Sequence, residues 1–309
     1  MTANPPFDTV LVVGAGLIGS SVARAARPLA GASTVLVSDT SASVVSTVER
    51  LGFADGVAEG AAHHFAARAD LVMLCVPPAR IGEVARELLP VMKPGAVLSD
   101  VGSVKSAVMD ALEGLERGDV AFVPGHPIAG TEFSGPEAGF AELFRGRWCV
   151  LTPQNPDDPA VGRLRRFWEA LGSQVAVMDP ERHDTVLATT SHVPHLIAYT
   201  LVGTAIDMEQ VTGDEVVKFS AGGFRDFTRI AASDPVMWRD VFLSNRDATL
   251  EVVDRFIEDL TALKRAIRWS EGDRLLETFA KTRDIRRRIL DAGQDEALFG
   301  RGDAGEPDT

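Results

Sequence analysis

Three glycines at the end of an apolar run constrain this chain more than any other feature of its sequence. Residues 9–20 read TVLVVGAGLIGS, so Gly14, Gly16 and Gly19 form a G-x-G-x-x-G pattern. A continuous apolar run of this kind is typical of a central parallel strand that is covered on both faces. The residues that follow it have helical periodicity. A strand, a glycine turn and a helix in this order predict a dinucleotide-binding unit.

The residues of this pattern have separate tasks in such a unit. Gly14 permits the tight turn, Gly16 lets the backbone approach a pyrophosphate, and Gly19 allows the helix to pack closely on the strand. Leu17 and Ile18 begin the helix, whose free N–H groups and dipole would bind the phosphates. The alternative is a glycine-rich turn that binds no ligand.

A carboxylate after the second predicted strand, STVLVSD, indicates which dinucleotide is expected. Asp39 stands twenty residues after Gly19, where a carboxylate accepts hydrogen bonds from the adenosine ribose and repels a 2′-phosphate. The next residues, TSAS, include no arginine that could neutralise that phosphate. Val76 and Pro77 follow another predicted strand, at the edge where open sheets bind their ligands. The sequence therefore predicts NAD rather than NADP, with Val76 and Pro77 lining its site.

The order of the predicted elements divides the chain into two folded parts. Strand and helix signals alternate through residues 1–180, which predicts an α/β fold with a doubly wound parallel sheet of the Rossmann type. From residue 181 the strand signals stop and helical periodicity dominates, which predicts a smaller all-helical domain over residues 181–292. Residues 293–309 have few apolar side chains, and we expect them to be disordered.

Composition narrows the classes of function. Hydrophobic residues make up 45% of the chain, and no apolar run reaches the roughly 18 residues that span a bilayer. The formal net charge of −13 argues against a nucleic-acid surface, which needs clustered basic residues. Cys75 and Cys149 form no C-x-x-C pair, so neither a disulfide framework nor a metal site is predicted. With no signal peptide visible, we expect a cytoplasmic protein that binds neither nucleic acid nor membranes.

Two polar segments follow strands of the predicted sheet. In SDVGSVKS, Ser103 comes after a strand that ends near Val101, and it would be either a catalytic hydroxyl or a helix N-cap. In GHPIAGTEFSG, Pro127 holds His126 in an extended conformation, and the preceding strand brings it to the same edge of the sheet. There His126 would be either a general base near neutral pH or a loop imidazole bonded to the backbone.

The helical part adds two histidines and two arginines. In SHVPH, His192 and His195 share one helical face, and Pro194 indicates the first turns of a helix. A metal pair is possible, but no cysteine or carboxylate pair completes a ligand set, so two hydrogen-bonding imidazoles are the better interpretation. Arg225 and Arg229 are four residues apart, and either could bind a carboxylate or pair with a neighbouring aspartate. These segments together predict an NAD-dependent dehydrogenase for a carboxylated substrate.

Six segments, in this order, resemble the signature blocks of the prephenate/arogenate dehydrogenase family. They are VVGAGLIGSS, DVGSVK, GHPIAGTEFSG, LFRGRWCVLTP, SHVPHLIAY and GFRDFTRIAASDPVMWRD. The resemblance implies a Rossmann domain followed by a helical dimerisation domain, and hence a homodimer. It also implies oxidation of a small anionic substrate, prephenate or arogenate, with NAD(P), and Asp39 favours NAD. We expect prephenate as the substrate. The reaction loses CO2 and gives 4-hydroxyphenylpyruvate, a step of tyrosine biosynthesis.

The resemblance also implies roles for individual residues. His126 would accept the proton of the ring C4 hydroxyl as hydride leaves C4, and Ser103 would orient that histidine. Arg229 would bind a substrate carboxylate. The other residues implied at the substrate site are His192, His195 and, at the mouth of the pocket, Glu132. Arg225 is predicted there from its spacing to Arg229 and not from the resemblance.

Several alternatives stay open. An arogenate dehydrogenase that gives tyrosine, or a 4-amino-4-deoxyprephenate dehydrogenase of secondary metabolism, would have nearly the same motifs. A β-hydroxyacid dehydrogenase also joins a Rossmann domain to helices, but it relies on a lysine early in the helical domain, where this chain has ATTSHVPHLIAYTL. A non-catalytic NAD-sensing protein would give Ser103, His126 and Arg229 no reason to occur together.

Overall fold

The protein is described by a computed structural model over residues 5–60, 62–115, 117–131, 133–212 and 221–291. Glu132 and the predicted disordered tail of residues 293–309 lie outside the described residues. The chain divides into two compact units, Met1–Val252 and Val253–Thr309. The other candidate site residues all belong to the first unit.

A parallel sheet of six strands forms the centre of the first unit. Its strands are β1 (Thr9–Val13), β2 (Thr34–Asp39), β3 (Gly56–Glu59), β4 (Leu71–Leu74), β5 (Val97–Asp100) and β6 (Ala121–Phe122). They lie in the order β3-β2-β1-β4-β5-β6, and every neighbouring pair is parallel. The helices between them are α1 (Leu17–Ala26), α2 (Ala42–Leu51), α3 (His63–Ala66), α4 (Pro78–Leu88) and α5 (Ser106–Leu112). The predicted doubly wound α/β fold is confirmed.

Strand β1 explains why the first apolar run has no polar interruption. Val10 and Val12 are buried in one hydrophobic cluster, and Leu11 and Val13 are buried in another. Because successive side chains of a strand point to opposite faces, the two clusters cover both faces of the sheet. Strand β3, in contrast, was not predicted. At the sheet edge, its first three residues are only partly buried and Glu59 is exposed, and the strand forms no apolar run.

The last three strands form a separate mixed sheet, which corrects the prediction that they continue the parallel one. They are β7 (Gly125–Pro127), β8 (Trp148–Leu151) and β9 (Gln174–Val177). Strand β7 is antiparallel to β8, and β8 is parallel to β9. The chain leaves the main sheet after β6, so His126 lies inside a strand opposite Val150 rather than in a loop after one. Pro127 is tolerated because β7 is an edge strand.

Helices follow the second sheet in the described part of the chain. After α6 (Pro159–Ala170), which joins β8 to β9, the first unit continues through α7 (Pro180–Leu187), α8 (Val193–Thr212), α9 (Gly222–Thr228) and α10 (Pro235–Ser244). Helix α11 (Arg246–Arg268) runs from the first unit into the second, and α12 (Gly272–Asp291) belongs to the second.

A π-helical turn, Ala188–His192, joins α7 directly to α8. Within it the N–H of Val193 donates to the carbonyl of Ala188, five residues back. The two histidines of SHVPH therefore lie at a change of helical pitch inside a longer helical run, rather than in the first turns of a new helix. Single π turns inside helices occur frequently at functional sites.

Candidate active site

A chain of hydrogen bonds links His126 to two residues of α7. His126 is 8% exposed, and its Nδ1 lies 2.8 Å from Nε2 of His183, which is fully buried. Nδ1 of His183 lies 2.8 Å from Oδ1 of Asp184. The strand β7 and the helix α7 thus bring together two imidazoles and a carboxylate that are up to 58 residues apart in the sequence.

Asp184 is fixed from several directions. Its carboxylate accepts hydrogen bonds from the backbone N–H groups of Lys105 and Ser106, both at 2.8 Å. These groups stand at the beginning of α5, which has no capping side chain of its own, so Asp184 caps that helix from α7. Burial acts to raise the pKa of Asp184, but the hydrogen bonds from His183 and from this helix end outweigh it and lower the pKa. Asp184 is therefore a carboxylate that only accepts hydrogen bonds.

The ionised state of Asp184 determines where the protons of both imidazoles lie. Because a carboxylate can only accept, Nδ1 of His183 carries the proton that is donated to Asp184. When the His183 ring is uncharged, its Nε2 has a lone pair, which accepts a hydrogen bond from Nδ1–H of His126. Burial, together with the nearby His183 and Lys105, holds the pKa of His126 well below its usual value. His126 is consequently neutral, with its lone pair on Nε2.

A buried ion pair holds the strand that carries His126. Lys105 and Asp100 are fully buried, and the Lys105 ammonium donates to Asp100 Oδ2 and to the Gly125 carbonyl at 2.8 Å. Asp100 also accepts the N–H groups of Gly102, at 2.8 Å, and Gly125, at 3.3 Å. The pair therefore ties the end of β5 to the start of β7.

Ser103 lies in the bend between β5 and α5 and is half-buried. Helix α5 begins at Ser106, with Lys105 as its N-cap residue and the Asp184 carboxylate as its capping group. The alternative that Ser103 caps this helix is therefore wrong. Its position between Gly102 and Lys105 leaves it next to the segment that supports His126.

The two histidines of the π-helical region differ in their surroundings. His192 is 1% exposed, and its Nδ1 lies 3.0 Å from Nδ2 of Asn245. The same Asn245 nitrogen donates to the Asp184 carbonyl at 2.8 Å, which fixes the amide orientation, so His192 Nδ1 accepts and its proton is on Nε2. Burial lowers the pKa of His192 to about 4. This histidine is a neutral, fully enclosed member of the same network.

His195 is half-buried and stacks on Trp238, with ring centroids 3.6 Å apart. Its Nδ1–H donates to the Ser191 carbonyl at 2.8 Å, so its Nε2 carries the lone pair when the ring is neutral. Burial is the main cause that lowers the pKa of His195, the hydrogen bond to Ser191 opposes it, and the charge of Arg229 adds to it. Arg229 is thus near enough to His195 to act on it electrostatically.

The two arginines lie in neighbouring segments at the surface of the first unit. Arg229 begins a 3₁₀ turn, Arg229–Ala232, and Arg225 lies in α9 just before it. Both side chains are exposed. The structure therefore brings Arg229 towards His195. Glu132, the other predicted residue of this region, lies outside the described residues.

The sequence did not predict the buried residues that form hydrogen bonds with the candidate site residues. Lys105, His183, Asp184 and Asn245 were not singled out, although each makes a buried hydrogen bond in the network. A usable signal was present in ERHDTV, where a histidine and an aspartate are adjacent at the start of a helix. Buried polar residues of this kind are normally hydrogen-bonded to each other, but the partner cannot be read from one segment alone.

The glycine turn fits a dinucleotide. Gly14 has a φ of +93°, and a side chain there would strike the Cys75 carbonyl; at Gly19 it would strike the Gly14 carbonyl. Gly16 is exposed, and a side chain there would enter open space in front of α1, whose N-cap makes no side-chain hydrogen bond. This cradle and the free N–H groups of α1 suit a pyrophosphate.

Asp39 lies beside this turn, at the end of β2. Its carboxylate oxygens accept the N–H groups of Ala15 and Ser41, both at 2.9 Å. The half-buried Leu17, Ile18 and Val76 and the exposed Pro77 lie at the same carboxyl edge, where the strands of an open sheet bind ligands.

Other kinds of site find no support in the described residues. They contain no group of three or more histidine, cysteine or acidic side chains that could hold a metal ion. Burial raises the pKa of the Cys75 and Cys149 thiols, so neither is a ready nucleophile. Among the helices of the described part, none combines the length and apolar character needed to cross a membrane.

Comparison with known proteins gives the family. The family model "Prephenate dehydrogenase, nucleotide-binding domain" matches residues 22–177, and "Prephenate dehydrogenase, dimerization domain" matches residues 179–281. The chain is 41% identical to a cyclohexadienyl dehydrogenase of Zymomonas mobilis over 91% of its own length and 95% of that protein. The chain belongs to the prephenate dehydrogenase family. It is therefore a dehydrogenase, as the sequence predicted.

Two further relatives agree with this membership. A prephenate dehydrogenase of Bacillus subtilis is 32% identical over 92% of this chain and 76% of its own. The crystal structure of an Aquifex aeolicus prephenate dehydrogenase, in complex with hydroxyphenyl propionate and NAD+, superposes with a TM-score of 0.83 at 36% identity, covering 91% of this chain and 98% of that one. A nucleotide-binding sheet followed by helices is thus the arrangement of the prephenate dehydrogenase family as well as of this chain.

Proposed function

We propose that this enzyme catalyses the NAD-dependent oxidative decarboxylation of prephenate to 4-hydroxyphenylpyruvate, with His126 as the base. The observation that carries the proposal is the hydrogen-bond chain from His126 through His183 to Asp184, which leaves a lone pair on Nε2 of a buried, neutral imidazole. A base of this kind can accept a proton from a hydroxyl group at neutral pH.

The chemistry explains what the base must do. Hydride leaves ring C4 of prephenate, the carboxylate leaves C1 as CO2, and the ring becomes aromatic. When bound, NAD supplies the acceptor for the hydride. The product keeps its hydroxyl group, so the overall reaction releases no proton. His126 therefore needs only to take the C4 hydroxyl proton while positive charge develops at C4, and to return it as the aromatic ring forms. A buried base suits this task because it keeps the proton out of solvent.

Ser103 and Lys105 support this base in the proposal. Ser103 lies two residues before Lys105, whose ammonium holds the Gly125 carbonyl immediately before His126. The Ser103 hydroxyl would hydrogen-bond with the substrate C4 hydroxyl or with His126, as the family resemblance implies. Fixing the base in this way lowers the cost of orienting it during the reaction.

Arg229 and His195 are the proposed contacts for the anionic parts of the substrate. Arg229 is exposed and acts electrostatically on His195, so a substrate carboxylate between them would meet a cation and a hydrogen-bonding ring. His195 is half-buried, whereas His192 is 1% exposed and bonded to Asn245. We assign the substrate contact to His195 and a supporting role to His192. Arg225 and Glu132 stay predictions at the rim of the pocket.

NAD is the proposed cofactor, in preference to NADP. Asp39 is held beside the glycine turn by the N–H groups of Ala15 and Ser41. A carboxylate there accepts hydrogen bonds from ribose hydroxyls and repels a 2′-phosphate. The residues proposed to hold the dinucleotide are Gly14, Gly16, Leu17, Ile18, Gly19, Asp39, Val76 and Pro77.

One assay tests the proposed function. The full chain is incubated with NAD or NADP and with prephenate, arogenate or 4-amino-4-deoxyprephenate, and reduced cofactor is followed by absorbance. We expect the largest kcat/KM with NAD and prephenate. If only arogenate is turned over, the substrate is arogenate and not prephenate. If none of the three compounds leads to reduction of the cofactor, the proposal is contradicted.

A homodimer is the proposed assembly. Apolar side chains on and between α11 and α12 are more than half exposed, namely Ile257, Leu260, Ile267, Trp269, Leu276 and Phe279. Exposed apolar groups in this number mark an interaction surface, and these residues lie in the match to the dimerization domain. A second copy of this chain is therefore the proposed occupant.

The dimer can be tested by light scattering. Leu276 is 69% exposed, so Leu276→Glu removes apolar contact area without disturbing a buried core. We expect the wild-type protein to have the mass of a dimer and the variant to shift towards monomer at low concentration. Lys281→Glu, on another side of α12, is the control. A monomeric wild-type protein, or an unaffected Leu276→Glu dimer, would contradict this interface.

A further inference from the structure

We infer that His183 is a positioning residue for the reaction, which fixes the tautomer of His126 and links it to the negative charge of Asp184. The inference rests on the proposed role of His126 as base. His183 does not need to touch substrate for this role, because it acts only through His126.

The geometry leaves His183 little freedom. Both of its ring nitrogens are engaged, one with His126 and one with Asp184, each at 2.8 Å, and the ring is fully buried. The rings of His126 and His183 meet edge to face, at 66°. A rotation of either ring would break one of these bonds inside the protein, where an unpaired polar group costs roughly 1–3 kcal/mol.

Asp184 is equally restrained, and this gives a direction to the hydrogen-bond relay formed by Asp184, His183 and His126. Its carboxylate is held by the backbone of Lys105 and Ser106, and its own carbonyl accepts from Asn245. The carboxylate therefore cannot turn away from His183 without uncapping α5. The proton order from Asp184 outwards is fixed by an acceptor that never donates, and it ends with the lone pair of His126 Nε2.

The distribution of charge gives the relay a second task. Lys105 pairs with Asp100, whereas the hydrogen bonds to Asp184 come from His183, from two neutral backbone N–H groups and from the Ser106 side chain. When His126 takes the hydroxyl proton, its Nδ1–H bond to His183 strengthens, and positive charge can be shared towards Asp184. The relay thus offsets the unfavourable effect of the Lys105 ammonium on a protonated His126.

A matched pair of substitutions separates the two bonds of His183. In His183→Gln the amide oxygen can occupy the place of Nε2 and still accept from His126, but the link to Asp184 is lost. In His183→Asn the amide can still donate to Asp184, but His126 loses its partner. His64→Gln, at an exposed position, is the control for the change of residue type.

We expect kcat to depend mainly on the hydrogen bond between residue 183 and His126. We expect kcat to fall by about tenfold in His183→Gln and by about 10²-fold in His183→Asn, which is at or below the lower end of the roughly 10²–10⁴-fold that a positioned base contributes. KM for prephenate and the affinity for NAD should stay close to wild type, because neither ligand contacts His183 in this account. A residue that only fills space would change kcat equally in both variants.

The second readout is the tautomer of His126 itself. In protein labelled with [15N]histidine, the ring nitrogens of the six histidines report which one carries the proton, and His126→Asn identifies the His126 signals. We expect protonated Nδ1 and unprotonated Nε2 for His126 in wild type and in His183→Gln, and loss of this preference in His183→Asn. The wild-type spectrum alone keeps the test valid if His183→Asn does not fold.

The outcomes distinguish this inference from the proposed function. If His126→Asn leaves turnover unchanged, the proposed base is wrong and the relay has no role. If His126→Asn is inactive but both His183 variants match wild type, only the relay is overturned. A wild-type His126 protonated on Nε2 would also overturn the relay, whatever the activity of the variants.

Discussion

Replacement of His126 by asparagine is expected to lower kcat by about 10²–10⁴-fold with little effect on NAD affinity. The asparagine amide can occupy the place of Nδ1 and keep the bond to His183, so the relay stays filled. What disappears is Nε2 and its lone pair, the only part of the ring that this account uses on the substrate. The change should therefore appear in the rate of NADH formation at saturating substrate.

The control for this variant is binding rather than activity. NAD affinity, measured by titration, should match wild type because the dinucleotide site lies at the glycine turn and Asp39. The same thermal unfolding midpoint would show that the strand β7 still folds. Turnover equal to wild type, in a variant that passes both controls, would remove His126 from the mechanism.

Replacement of Lys105 by methionine is expected to give the largest loss of stability among the substitutions considered. Lys105 and Asp100 are both fully buried, so the variant leaves a carboxylate without its cation in the protein interior. Breaking a buried ion pair from one side costs roughly 3–5 kcal/mol in free energy of unfolding. The urea concentration at the unfolding midpoint should fall accordingly.

Two comparisons make this prediction specific. Lys93→Met breaks a half-exposed ion pair with Asp70, at 2.7 Å, and should cost less than about 1 kcal/mol. The double variant Lys105→Met with Asp100→Asn should recover part of the loss, because no unpaired charge is left. A Lys105→Met midpoint that equals that of Lys93→Met would contradict the structural role of the buried pair.

The parts of the site that the sequence predicts are those encoded by local rules. The positions of Gly14, Gly16 and Gly19 follow from backbone sterics, and the structure has a clash at two of them for any added side chain. Asp39 is predictable because a strand of known length must end near it. The parallel sheet follows from the regular alternation of apolar strands and helices.

The parts that the sequence does not predict depend on contacts between distant segments. His183 is 57 residues from His126, and no local pattern states that their rings meet. The separate sheet of β7, β8 and β9 forms because the chain turns away from the main sheet after β6. In the sequence, the strand signal runs over both β6 and β7, so it does not show this turn. The π turn before α8 likewise reflects a shift of helical pitch, and SHVPH alone suggests only a helix start.

The pH dependence of kcat/KM tests the central claim most directly, because it reports the protonation state of the base in the free enzyme. Burial, with His183 and Lys105, lowers the pKa of His126 well below the ordinary 6.5. Since only the neutral ring can accept a proton, activity should persist as the pH falls past 6.5 and be lost only below it. His126→Asn should lack this limb. An acidic limb above 6.5, or the same limb in His126→Asn, would contradict the account of a buried neutral histidine as the base.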